Sequence, residues 1–146
     1  MEIATTRFGT VQIEPEDILD FPSGLIGLDG SCRWVLLADG ESDSLGWLQS
    51  IQRPDLALAV VSPRRFVPQY QARVHRRELE PLQLRGAADA QILVILSQHD
   101  EAITLNLKGP LVINLERRLG RQVVVNDDQP VQYVVGESKS SLKKTA

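Results

Sequence analysis

Carboxylates are the groups in this sequence whose spacing comes nearest to chemistry. Glu14, Glu16, Asp17 and Asp20 fall close together, and Asp127 and Asp128 are adjacent. Paired carboxylates can divide the roles of general acid and general base, but only where their surroundings separate their pKa values. The first group lies beside Pro15 and ahead of a Phe21-Pro22 turn. That setting leaves two readings, a solvated edge or a surface offered to another protein. Cys32 is the single cysteine, so no internal disulfide is available, and with no base next to it in sequence it reads as a small buried hydrophobe. His75 lies in a basic run and His99 beside Asp100-Glu101. Without a spaced set of cysteines or carboxylates, the two form no metal motif. Gly24 to Gly27 lacks the amphipathic helix that follows a phosphate loop, and no nucleotide-binding or hydrolase motif occurs elsewhere. The expectation is a protein with no catalytic, cofactor-binding or metal-binding residues.

A second set of groups suits nucleic acid. In 64–85, six arginines surround Phe66 and Tyr70. Small barrels do bind single strands with basic grooves and stacked aromatics. Against this stand an aromatic content of only 5% and a net charge of −3. Direct RNA binding through 64–85 is therefore the competing expectation rather than the first.

The elements that must position these groups are mostly strands. Thr10–Ile13, Trp34–Ala38, Leu56–Val61, Ile92–Ser97, Ile103–Lys108, Leu111–Leu115 and Gln122–Val125 all read as extended, and turn-prone clusters such as Ala38-Asp39-Gly40 separate them. The clearest stretch is 102–115. Ile103, Leu105 and Leu107 share one face of a strand; after Gly109-Pro110, Leu111, Ile113 and Leu115 share another. Pro110 cannot donate to a sheet ladder, so the chain must bend there or lie on an edge. Many short strands with short links pair antiparallel. The expected fold is all-β, a small antiparallel β-barrel or barrel-like sandwich, with one short helix at His75–Leu79. Asn106 and Asn114 are expected to flank the bend, with their amides bonded to local backbone or lining a partner surface.

Size and charge narrow the function. The chain has 146 residues, 42% of them apolar and 24% charged, enough for one core. Residues 1–136 are expected to form a single domain and 137–146 a disordered polar tail. The apolar runs, Ile92–Leu96 among them, are far short of the ~20 residues that cross a bilayer. No secretory signal opens the sequence, so a cytoplasmic protein is expected. Residues 1–55 carry ten acidic and three basic groups, whereas 56–85 carry six basic and two acidic. Such asymmetry suits a basic protein partner for the acidic part.

Three segments together resemble one family, the flagellar assembly factor FliW. They are FGTVQIEPEDILDFPSGLIGLDGSCRWVLL (8–37), WLQSIQRPDLALAVVSP (47–63) and NLKGPLVINLERRLGRQVVV (106–125), in the family's order and spacing. The resemblance covers about residues 3–135. It implies a small antiparallel β-barrel that binds flagellin in the cytoplasm. It further implies that the free protein binds the RNA-binding repressor CsrA and relieves its block on flagellin translation, the two partners competing. The acidic residues Glu14, Glu16, Asp17 and Asp20 are the expected contacts for a basic regulator, joined by Asn106, Lys108 and Asn114 at the third motif. Leu25, Ile26 and Trp47 are either core packing or apolar contacts for a flagellin helix. Neither membrane nor direct nucleic-acid binding is expected. Gln52-Arg53 departs from the acidic residues that relatives often carry after Leu48-Gln49-Ser50.

Overall fold

The structure is a computed structural model that describes residues 1–28 and 30–137. It opens with a hairpin, β1 (Glu2–Thr5) and β2 (Gly9–Gln12), followed by β3 (Ile18–Asp20), β4 (Arg33–Ala38), β5 (Leu45–Ser50) and β6 (Ala57–Val61). The helix α1 (Arg76–Leu79) comes next, then β7 (Ala90–His99) and β8 (Ala102–Leu105). The chain ends with β9 (Leu111–Asn114), β10 (Leu119–Gln122) and β11 (Tyr133–Glu137). The tail expected at 137–146 lies, beyond Glu137, outside the described residues.

Seven strands close into a barrel in the order β3, β4, β5, β6, β7, β9, β10, with β10 returning to β3. Neighbours pair antiparallel except at that last seam, where Leu119 lies parallel to Asp20. Alternation supplies the interior: Leu19, Trp34, Leu48, Val60, Leu93, Leu111 and Ile113 all point inward. Trp34, fully buried, belongs to this core.

Outward-facing apolar residues are covered by three attachments. The β1–β2 hairpin covers Val35 and Ile18. The segment carrying Tyr70 covers Val61, Val94 and Leu105. The turn after α1 places Leu82 on Val112 and Val123. A barrel this small thus gains burial on both faces of its sheet.

The Gly109-Pro110 bend has a specific origin. β7 is long enough to pair with β8 through one half and β9 through the other, so β8 and β9 lie end to end along one edge. Leu96 faces Leu105 while Leu93 faces Leu111. Three steps of β7 therefore span six steps of its partner, and the surplus bulges outward at 106–110. The expected strand Ile103–Lys108 accordingly stops at Leu105. The strand expected at 122–125 begins earlier, at Leu119. Its continuation still pairs, because Val123 and Val125 donate to the carbonyls of Pro110 and Lys108.

Candidate partner-binding surface

The acidic cluster is built on a 3-10 turn, Pro15–Asp17, which Pro15 initiates with its fixed φ. Asp17 is committed to this turn: its carboxylate accepts from the Glu14 amide at 2.8 Å. The Asp17 carbonyl accepts from the Arg118 guanidinium at 2.8 Å, tying the turn to the β9–β10 connection. Asp20 lies 3.8 Å from Arg33 on the neighbouring strand, a solvent-exposed pair. Glu14 and Glu16 are exposed and have no ion-pair partner among the described residues. The four carboxylates predicted as one cluster thus divide: Asp17 holds the turn, Asp20 makes an exposed pair, and Glu14, which closes a capping box with Asp17, and Glu16 have no ion-pair partner among the described residues.

At the bulge, the Asn106 carboxamide oxygen accepts from the amides of Lys108 and Gly109, an Asx-type turn. Leu107 folds back into the core and is almost fully buried, its carbonyl accepting from the Tyr70 hydroxyl at 2.7 Å. Burial, with the nearby Asp127 charge, pushes the Tyr70 pKa up to about 12. The Lys108 ammonium donates to the Asp127 carbonyl at 2.7 Å. Asn114 sits in the interior at 3% exposure, where its amide donates to the Leu82 carbonyl at 2.8 Å and its oxygen accepts from the Arg117 amide. The three residues of this motif named from sequence all bond to backbone.

Gln122 joins this corner to a second one. Its side-chain amide donates to the Gly109 carbonyl, and its oxygen accepts from the Ile26 amide, each at 2.9 Å. A Cβ on Gly109 would stand 3.0 Å from that same amide nitrogen, so glycine permits the approach. The turn at 21–28 uses Gly24 and Gly27 at positive φ, a region that L side chains rarely adopt. Leu25 is buried in the core, while Ile26 stands 63% exposed. In the sequence Gln122 is only the end of the third motif's Gly-x-Gln, and no local pattern shows its bond to Ile26, 96 residues away.

Leu48, Gln49 and Ser50 of the Trp-Leu-Gln-Ser motif are likewise internal. The Gln49 amide donates to the Ser50 carbonyl at 2.9 Å, and the Ser50 hydroxyl meets that of Ser31 at 3.1 Å while accepting from the Arg53 amide. Trp47 is not a core anchor. It lies on the outer face with the Arg7 guanidinium stacked 4.1 Å from its ring and Phe8 at its edge. Its indole N–H donates to Asp39 at 2.9 Å. That bond, helped by the amides of Glu41 and Ser42, holds the Asp39 carboxyl below its ordinary pKa.

Among the described residues, no three His, Cys, Asp or Glu side chains gather as a metal-holding group. No described helix is long and apolar enough to cross a membrane. Cys32 is half-buried, with the Gln52 amide 3.7 Å from its sulfur.

Comparison with known proteins agrees with this architecture. The profile of the FliW protein family matches residues 2–135. The flagellar assembly factor FliW of Bdellovibrio bacteriovorus is 38% identical over 130 residues, spanning 88% of this chain and 74% of that protein. That of Magnetococcus marinus is 33% identical over 150 residues, spanning 100% of this chain and 93% of that protein. A crystal structure of the flagellar assembly factor FliW superposes with a TM-score of 0.84 at 32% identity, covering 92% of this chain and 96% of the other. The three motifs, the barrel and these matches agree: the chain belongs to the FliW family, whose named members are flagellar assembly factors.

Proposed function

We propose that this chain is a non-enzymatic binding protein of the cytoplasm that holds flagellin and, once flagellin is exported, binds and antagonises a CsrA-type translational repressor. Family membership supports the flagellar role. The observation that carries the repressor half is the pair Glu14 and Glu16, exposed on a turn whose own bonding Asp17 already satisfies. A repressor of translation must present basic surface to RNA phosphates. Exposed carboxylates without an ion-pair partner of their own steer such a surface and pair with it. Asp17, which caps the turn, and exposed Asp20 complete that acidic surface. Asn114, which bonds the Arg117 amide next to the Arg118 that holds the Asp17 carbonyl, supports that turn, and Asn106 and Lys108 fix the bend of the same motif. Ile26, exposed beside Gln122, is the proposed contact for the apolar face of a flagellin helix.

The test is direct binding of the folded chain to purified flagellin and to purified CsrA, each alone and then in competition. The proposal expects both complexes and displacement of CsrA by flagellin. A folded chain that binds neither protein overturns it.

A further inference from the structure

The basic segment is only partly neutralised by the fold. Arg85 pairs with Glu116 and Arg121 with Glu78, each at 2.9 Å. Arg64 and Arg73 are exposed and have no carboxylate partner among the described residues. Both are nevertheless held in place by neutral oxygens. Arg64 Nε donates to the Tyr70 carbonyl at 3.0 Å, and Arg73 donates to the Gln71 side chain at 3.2 Å.

These two guanidiniums stand on the rim of a cleft of about 420 Å³ on the outer face of the barrel. Its origin is the early end of β6. Pro63 cannot extend the ladder, so the chain leaves the sheet in the 3-10 turn Pro63–Arg65 and returns across β7 at 70–74. The cleft lies between that returning segment and α1. Its floor is aliphatic: Ala72, Val74, Leu79, Leu84, Ile92 and Val112. No carboxylate lines it. Under Arg64 it continues into a neighbouring cleft of about 390 Å³, which likewise has no carboxylate in its lining.

We infer that this cleft docks an acidic segment of a partner protein, with an aliphatic side chain seated on the floor and flanking carboxylates paired with Arg64 and Arg73. The charge of the rim selects the sign of the partner. The floor selects a protein over a nucleic acid. Single-stranded RNA needs exposed aromatic faces on which bases stack. The single aromatic side chain in these two clefts, Tyr70, is 3% exposed and its hydroxyl is engaged by Leu107. This surface shares no residue with Glu14 and Glu16 and carries the opposite charge. The inference therefore stands independently of the repressor contact.

Selection of short random displayed peptides on the immobilised full-length chain tests it, followed by anisotropy of the enriched peptides and of a labelled single-stranded RNA. The expected result is enrichment of peptides with Asp or Glu flanking Leu, Ile or Met. Arg73→Glu should weaken those peptides by about tenfold, and Arg64→Gln or Arg73→Gln by about two- to fivefold, the range for an exposed charge pair. Arg76→Gln/Arg77→Gln, away from the cleft lining, should leave affinity unchanged. Thermal melts identify any variant that fails to fold, and exposed Arg73 supplies a variant independent of the Arg64 bond to Tyr70. Failure to enrich acidic-aliphatic peptides overturns the inference, as does equal binding by Arg73→Glu. RNA bound more tightly than any selected peptide, with loss in the same variants, overturns it in favour of a nucleic-acid surface.

Discussion

Phe21 lies directly beneath Gly120, so close that a Cβ on the glycine would overlap its ring. The contact sits at the seam where β10 returns to β3, and the ring is fully buried. Closure of the barrel thus depends on a large residue and an absent one. Gly120→Ala should destabilise the protein by about 1–3 kcal/mol, the cost of overpacking a tight core. Combining it with Phe21→Leu should recover part of that loss, since the two sites share one volume. Urea unfolding of the two single variants and the double variant measures the coupling.

The Gln122 bridge makes a second prediction. Gln122→Ala removes bonds to both Gly109 and Ile26 and should cost about 1–3 kcal/mol. Hydrogen exchange at the Ile26 amide should quicken more than exchange at Val60 in the core.

Tyr70 makes stability depend on pH at the alkaline end. Its pKa rises to about 12 in the folded state, against about 10 for an unfolded tyrosine. The fold favours the neutral phenol, so this stability is fully present below pH of about 10. It is lost as pH rises from about 10 to about 12. The difference between the 295 nm titrations of the wild type and Tyr70→Phe should have its midpoint near pH 12. Tyr70→Phe should also cost about 1–3 kcal/mol at neutral pH, because the Leu107 carbonyl loses its buried donor.

Asp39 acts at the other end of the scale. Its carboxyl is held below the ordinary value chiefly by the Trp47 indole, so its contribution is present at neutral pH and lost as pH falls through that lowered pKa. Trp47 fluorescence should change in that acid range, below where free aspartates titrate. Asp39→Asn should abolish the transition while leaving the signal of buried Trp34 in place.

The barrel was legible in the sequence wherever side chains alternate. Ile103–Leu105 and Leu111–Asn114 are examples, and Trp34–Ala38 was legible as an apolar run between turn-prone clusters. An interruption at Gly109-Pro110 was legible from proline chemistry, although its register origin was not. β3 escaped notice because three residues give no periodicity, and β5 because Gly46, Gln49 and Ser50 break its apolar pattern. Gln49 and Ser50 are buried to bond a turn, a tertiary need that no local rule expresses. The parallel seam was equally hidden, since it joins strands about a hundred residues apart. The acidic cluster was visible, but its division was not. That Asp17 serves the turn while Glu14 and Glu16 stay exposed without an ion-pair partner among the described residues emerges only from the three-dimensional geometry.

Charge reversal of Glu14 and Glu16 (Glu14→Lys/Glu16→Lys) tests the central claim most directly. Calorimetric titration of the folded variant with CsrA should show affinity reduced by more than about tenfold, as expected when two steering charges change sign at an interface. Flagellin binding by the same variant should stay within about twofold of wild type, since its apolar contact lies elsewhere. Undiminished CsrA affinity in the variant would contradict the account, as would loss of both partners with the melting temperature unchanged.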